Sequence, residues 1–402
     1  MTDKTLEIIN QYNTNGKKTV ALFCDVFYPS IDGVISVINN LAIALSKTYN
    51  VVVCVPKHKG KTVEKEQYLV LGVNSVKTPG MDYECALLPK ADKEFNKYLS
   101  ALKIDIVHFH SPFFMGKAAV WFAKKNNLPL CASFHSQYKR DFLNTTHSKL
   151  LSKMLLKGIM KKFNSADVVF SMNQFCKDLL EEYGAKTKIQ LIPNGVNWNN
   201  NIPQNRIAEV EQKYGIGPGQ MFLIYVGRLV KVKGLSTTIE ALKCAKDLGL
   251  NFKFLFVGDG SQRVVLEKQA KKLGLENNVA FAGKVMDREL LEAIYARADL
   301  FVFNSTYDTD GLVRQEAATK QTPMLCVEGS GAASDIEDGF NGFVAKNTPQ
   351  DFANRLIELS KNKKLVEQCG KNAQSTLVHS WDEIAKQYSE AYEKLIEQKK
   401  NK

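Results

Sequence analysis

The chain has no CxxC pair: its cysteines, Cys24, Cys54, Cys85, Cys131, Cys176, Cys244, Cys326 and Cys369, stand singly. That spacing argues against a zinc ribbon or a redox pair. Several of them lie in apolar runs such as ALFC and VVVC, where a thiol behaves as a small buried hydrophobe. No stretch approaches the roughly 18 uninterrupted apolar residues of a membrane-spanning helix, and the opening MTDKTLEIINQYNTNGKKT has no apolar block of signal-peptide length. The sequence therefore reads as cytoplasmic. Internal repeats of roughly 20–50 residues and low-complexity tracts are also lacking, which excludes a solenoid or an array.

What is present is an ordinary globular composition, 45% hydrophobic and 24% charged, over 402 residues. That length exceeds one typical core and predicts two α/β domains of roughly 150–200 residues each. The net charge of +12 is uneven: residues 1–200 carry +10 and residues 201–402 carry +2. An excess confined to one half points to a partner surface there. No recognised nucleic-acid motif accompanies it, so nucleic acid is not the expected partner.

Near-continuous apolar runs alternate with helix-length segments: 19–26, 49–55, 68–73, 104–110, 128–135, 166–172 and 189–193. Strands buried on both faces of a parallel sheet read this way. The pattern breaks at PNGVNWNNNIPQN (193–205), the expected linker, and a second series follows at 221–227, 252–258, 278–283, 299–303 and 323–327. The prediction is two doubly wound domains, 1–200 and 201–380, with an amphipathic terminal helix over 381–402. Ligands of such sheets bind beyond the carboxyl ends of the strands.

Three stretches sit at such ends. YVGRLVKVKG (225–234) places Arg228 and Lys233 before a helix, where a glycine-permitted backbone approach and two cations suit a diphosphate; ordinary surface charge is the alternative. FVGDG (256–260) reads as a plain strand-to-helix turn. NSTYDTDGLVRQEA (304–317) gathers Asp308, Asp310 and Glu316 around Gly311. A carboxylate accepts hydrogen bonds from vicinal sugar hydroxyls, and free N–H groups near Gly311 can meet phosphate; helix capping by Asp308 or Asp310 is equally open on this stretch alone. His108 and His110 alternate along one predicted strand, but no third ligand follows at zinc spacing, so no metal is expected.

In order along the chain, FYPSIDGV, DIVHFHSPF, SFHSQY, IPNGVN, GRLVKVKG, VGDG, FAGKVMDRELLEAIYARADLFVFNS, DGLVRQEA and DGFNGF resemble the retaining, nucleotide-sugar-dependent glycosyltransferases of family four. The resemblance spans nearly the whole chain. It implies the GT-B fold, two Rossmann-like domains facing a central cleft, with an acceptor-binding first domain, a donor-binding second domain and a terminal helix that crosses back toward the first. It implies transfer of a hexose, with UDP-glucose the expected kind of donor, to a lipid or glycan hydroxyl such as that of diacylglycerol, without a cofactor or catalytic metal. Arg228 and Lys233 are similar to the pair that holds the donor diphosphate. Glu316 is similar to the second acid of an E-x7-E motif that holds the ribose, and Asp308 takes the first acid's position near the hexose. By the same resemblance Asp310, Gly311, Leu312 and Val313 face the phosphates or the sugar, and Gly33 lets a loop approach the diphosphate. Val285 and Met286 fall where the base is cradled, and His135 falls where a histidine lies near the reacting sugar carbon. The sequence departs from the family at Asp308 for Glu, Asp310 for Phe, Gln321 for Gly, Ser334 for Glu and Asp32 for Gly. These changes leave the choice of hexose open and give rise to a second reading, a sugar-nucleotide-binding scaffold without transfer activity.

HSKLLSKMLLKGIMKKF (147–163) sets Lys149, Lys153, Lys157 and Lys161 at every fourth position, one stripe of a helix. Docking on an anionic membrane surface and a core-packed helix with a solvated lysine face both fit this pattern. Docking would make the protein peripheral on the inner face of the membrane.

Overall fold

The computed structural model describes residues 2–30, 32–77, 84–197 and 204–401. The polypeptide divides into two compact units, Met1–Gly195 with His379–Lys402, and Val196–Val378. The boundary expected at 200/201, with part of the Asn-rich linker around it, lies outside the described residues.

The first unit contains β1 (Thr19–Phe23), β2 (Asn50–Pro56), β3 (Leu69–Val73), β4 (Ser75–Lys77), β5 (Glu84–Ala86), β6 (Ile106–Phe109), β7 (Leu130–Phe134), β8 (Val168–Ser171) and β9 (Ile189–Leu191). Seven of them form a parallel sheet in the order β3-β2-β1-β6-β7-β8-β9, while β4 and β5 pair antiparallel apart from it. The central strands are buried along their length: every residue of β1, β6 and β7 is buried, including the polar Thr19, His108 and Ser133. Each Val, Leu, Ile or Phe so removed from water contributes roughly 1.5–3 kcal/mol. The terminal helix Trp381–Lys400 packs in this unit through Tyr388, Tyr392 and Ile396, and its start is fixed by a capping box between Ser380 and Glu383.

The second unit contains β10 (Met221–Val226), β11 (Phe252–Val257), β12 (Val279–Gly283), β13 (Leu300–Phe303), β14 (Met324–Val327) and β15 (Phe343–Ala345), in the order β12-β11-β10-β13-β14-β15. Counted within the unit this is 3-2-1-4-5-6, the dinucleotide-fold order, and it reverses between β10 and β13. β15 and the β4–β5 pair were not expected from the sequence; at three residues each, they are too short to show a period.

Gln321 is in the left-handed region (φ 59°), where the family's usual glycine would sit without strain. Glycine could not be replaced at the neighbouring Gly370, whose Cβ would fall 2.0 Å from the Gln321 carbonyl oxygen. The tight turn is therefore kept although its usual residue is not.

Candidate active site

In the second unit the loops after β10 and β13 meet at the reversal point. Backbone packs directly on backbone there. A Cβ on Gly234 would lie 2.2 Å from the Asn304 carbonyl oxygen, and one on Gly258 would lie 2.0 Å from that of Gly227. The Tyr225 hydroxyl, at the buried end of β10, donates to the Arg228 carbonyl (3.2 Å) and so fixes the turn that carries Arg228. Lys233 ends the short turn Lys231–Lys233, and Gly234, at φ 68°, opens helix Leu235–Asp247. Arg228 is exposed, whereas the Lys233 side chain is only 12% exposed and forms an ion pair with Asp308. Ser305 Oγ donates to the other Asp308 oxygen. Two cations and the amino end of a helix thus lie around one loop, an arrangement that suits an anionic ligand.

Glu316 lies on helix Leu312–Thr319, which Gly311 opens at φ 79°. Its Oε2 accepts from the Tyr295 hydroxyl (3.1 Å), and Arg288 Nη1 approaches Oε1 at 3.4 Å. Arg288, Glu292 and Tyr295 form one stripe of helix Arg288–Arg297, which Asp287 caps by accepting from the Leu290 N–H. Lys320, one turn beyond Glu316, pairs with Glu292 at 3.1 Å, with both side chains buried. Burial works against the Arg288 charge, but Glu316 and Glu292 outweigh it and hold the guanidinium above its usual range. Glu316 is therefore oriented as an acceptor with lone pairs to spare.

Asp310 is placed differently from Asp308. It is buried, and its carboxylate accepts from Arg314 Nη2 at 2.7 Å; the same guanidinium nitrogen reaches Asp335 at 2.9 Å. Leu312 and Val313 form the first turn of the helix. Val285 packs against the core, while Met286 is 76% exposed. Arg288, Tyr295 and Asn304 lie in stretches that carry the resemblance, but sequence reasoning assigned none of them a role. The spacing of Arg288 and Tyr295 was visible, but their partner Glu316 is set by tertiary packing. Asn304 follows β13, with its amide nitrogen and oxygen buried and without a partner among the described residues.

In the first unit, the ends of β1, β6 and β7 carry Asp25, His110 with Ser111, and His135. Asp25 accepts from Ser111 Oγ (2.6 Å) and from the N–H groups of Phe113 (3.2 Å) and Met115 (2.8 Å), capping helix Phe114–Lys125. His108 and His110 share one face of β6, with ring centroids 4.1 Å apart. His108 Nδ1 meets the Tyr392 hydroxyl at 2.7 Å and its Nε2 meets Ser133 Oγ at 2.8 Å; His110 Nδ1 meets His135 Nε2 at 3.1 Å. His135 is half-buried, whereas His108 and His110 are fully buried. Asp32 caps helix Gly33–Leu45 by accepting from the Val34 N–H (2.9 Å). A Cβ at Gly33 would meet no atom of the described residues within 4 Å, so they do not themselves require glycine there. Among the described residues no group of three or more His, Cys, Asp or Glu is placed to hold a metal ion.

Burial lowers the pKa of His135 to about 4 and holds those of His108 and His110 well below the ordinary 6.5. Once unfolded, all three protonate near 6.5, so between that value and the folded pKa the unfolded chain binds more protons. Stability is thus expected to be at its full histidine-dependent level above pH 6.5 and to fall as pH drops toward 4. Denaturant midpoints measured across that range, with His108→Asn as the comparison, check this; an equal acid dependence in the variant would count against it.

In helix Lys149–Phe163 only Ser152, Ile159, Met160 and Phe163 are buried. Leu150 (73%), Leu151, Met154 (62%) and Leu155 are exposed beside Lys149, Lys153 and Lys157. One face of the helix, through Ser152, Leu156, Ile159, Met160 and Phe163, is packed and its lysine stripe is solvated, as the core-packed alternative expects, but Leu150, Leu151, Met154 and Leu155 stay outside that packing. No described helix is long and apolar enough to cross a membrane.

A family model for glycosyltransferase family 4 matches residues 31–199, and one for glycosyl transferases group 1 matches residues 206–376. The chain belongs to the family-four glycosyltransferases, and it is a transferase. Among curated relatives it is 25% identical to an alpha-monoglucosyldiacylglycerol synthase of Acholeplasma laidlawii over 95% of this chain and 98% of that one. It is also 25% identical to the synthase of that name from Streptococcus pneumoniae, over 76% and 70%. Among solved structures, sucrose-phosphate synthase from Thermosynechococcus elongatus superposes with a TM-score of 0.76 at 20% identity, over 95% of this chain and all of that one. Anabaena HepE in complex with UDP and glucose gives 0.72 at 20%, over 93% and 99%. The fold is GT-B.

Proposed function

We propose that this enzyme moves a hexose, glucose in the first instance, from a UDP-linked donor to a lipid hydroxyl, with diacylglycerol the leading acceptor and with retention of anomeric configuration. The observation that carries the donor side is the meeting of the Arg228–Lys233 turn and the Asp308–Glu316 loop at the carboxyl ends of β10 and β13, where the sheet order reverses. In this reading Arg228 and Lys233 bind the diphosphate, and Glu316, oriented by Tyr295 and Arg288, holds the ribose hydroxyls. Val285 and Met286 flank the base, and the N–H groups around Gly311, Leu312 and Val313 face the phosphates or the sugar. Gly33 leaves room for a ligand in the first unit, and His135 lies near the reacting carbon. Asp308 engages the hexose once phosphate has taken its place at Lys233. The bond from the anomeric carbon to phosphate breaks as the acceptor oxygen attacks from the same face, and the departing phosphate oxygen takes the acceptor's proton. The developing negative charge is met by cations already in place. No cofactor or metal is needed for this route.

The lipid acceptor is supported by the names of the two synthases and by the exposed leucines of helix Lys149–Phe163. These would enter the headgroup boundary of an anionic membrane while Lys149, Lys153, Lys157 and Lys161 meet its charge, each contributing about 1 kcal/mol. The enzyme would then work as a peripheral protein on the cytoplasmic leaflet. Nucleotide release measured across a donor panel, with diacylglycerol vesicles and soluble glycans as parallel acceptors, tests the whole reading. Release with UDP-glucose only in the presence of diacylglycerol is expected. Donor binding without release to any acceptor would favour the scaffold reading instead. Leu150→Glu with Met154→Glu is expected to weaken flotation with anionic vesicles by about tenfold or more, while a short-chain soluble acceptor is still used.

A further inference from the structure

We propose that His110 is a positioning residue for His135, fixing that imidazole as the tautomer that carries its proton on Nδ1 and presents Nε2 as an acceptor. The proposal rests on the reading of His135 as a residue near the reacting sugar. The contact between His110 Nδ1 and His135 Nε2 is 3.1 Å, so one ring donates to the other. The remaining His110 nitrogen, Nε2, is buried and has no partner among the described residues. If His135 donated, the proton of neutral His110 would sit on Nε2 as a buried N–H with nothing to accept it. If His110 donates from Nδ1, only a lone pair is left bare, which costs less, because orphaned buried N–H groups are rarer than under-satisfied acceptors. Burial holds both rings neutral, so the case of two protonated nitrogens does not arise.

The His110 ring is itself held in place. It lies against His108, and both nitrogens of His108 are engaged, by the Tyr392 hydroxyl and by Ser133 Oγ. Tyr392 comes from the terminal helix, which adds three further ring–ring contacts: Tyr392 on Tyr49 and on Phe170, and Tyr388 on Phe170. The hydrogen bond made by one imidazole nitrogen decides which atom of the other is protonated. His135 then enters the reaction as a neutral donor at Nδ1.

The test uses the full chain with His110→Leu, His110→Asn and His135→Ala. An asparagine amide can reach the place of Nδ1 and donate to His135; leucine cannot. With Leu, kcat is expected to fall about tenfold, the low end of what loss of such an orienting partner costs, while the donor KM stays within about twofold; Asn should restore most of the loss. Imidazole nitrogen NMR should report the Nδ1–H tautomer of His135 in the wild type and in His110→Asn, and a shift toward Nε2–H in His110→Leu. A wild-type His135 protonated on Nε2 would overturn the proposal. So would a leucine variant that keeps both its tautomer and its kcat. Should leucine fail to fold, the wild-type tautomer still decides. Full activity in His135→Ala would overturn the underlying role of His135, and the NMR result distinguishes that failure from an error in the tautomer.

Discussion

Replacing Lys233 by alanine is expected to lower kcat with donor saturating by about 100- to 1,000-fold, the loss seen when one preorganised charge stabiliser is removed from an active site. The ammonium is held by the Val230–Gly234 turn, whose glycine cannot carry a side chain without striking the Asn304 carbonyl. Its side chain is largely removed from water, so its charge is weakly screened where phosphate would arrive. Part of the loss is expected in donor KM as well, because the same charge binds the ground-state diphosphate. Lys233→Arg should recover only some of the rate, since a planar fork does not replace a compact ammonium. Initial rates of nucleotide release with a thermal melt alongside would check the result. Turnover near wild type in a folded Lys233→Ala would remove Lys233 from the mechanism.

Asp310→Ala is expected to be the most destabilising single change near the site, by about 3 kcal/mol, the lower end for breaking a buried ion pair. Arg314 is buried and, among the described residues, would keep half-exposed Asp335 and the Ala332 carbonyl. Burial opposes the Arg314 charge, and the two carboxylates outweigh it, holding the guanidinium above its usual range. Removing both charges, as in Asp310→Ala with Arg314→Met, should recover much of the loss, because no unpaired charge then remains in the core. Urea unfolding, with the transition of the second unit followed separately, gives the comparison. A loss below about 1 kcal/mol in the single variant would show that the loop is not pinned by this pair.

These two carboxylates, two residues apart, show where a sequence reading stops. Asp308 and Asp310 looked alike beside Gly311, as capping groups or ligand groups. In the fold Asp308 turns toward Lys233 and Asp310 toward Arg314. The second contact makes Asp310 a buried structural acid, although the resemblance counts its position among those near the donor. Arg314 was visible four residues on, but helical spacing alone does not say which side of the loop is buried.

The amino-acid sequence by itself determined the strands and their class. A parallel sheet covered on both faces needs unbroken apolar runs, and such runs cannot be hidden among polar neighbours. It also determined the turns after β10 and β11, because backbones packed 2.2 Å from a would-be Cβ at Gly234 and 2.0 Å from one at Gly258 admit only glycine. Tertiary structure alone decided the partners: Tyr295 and Arg288 on Glu316, Tyr392 on His108, and water rather than core on Leu150 and Met154. The physical reason is range. Burial and backbone strain are felt by each segment within its own few residues, whereas a hydrogen bond between positions as far apart as His108 and Tyr392, 284 residues, exists only after the chain has folded around it.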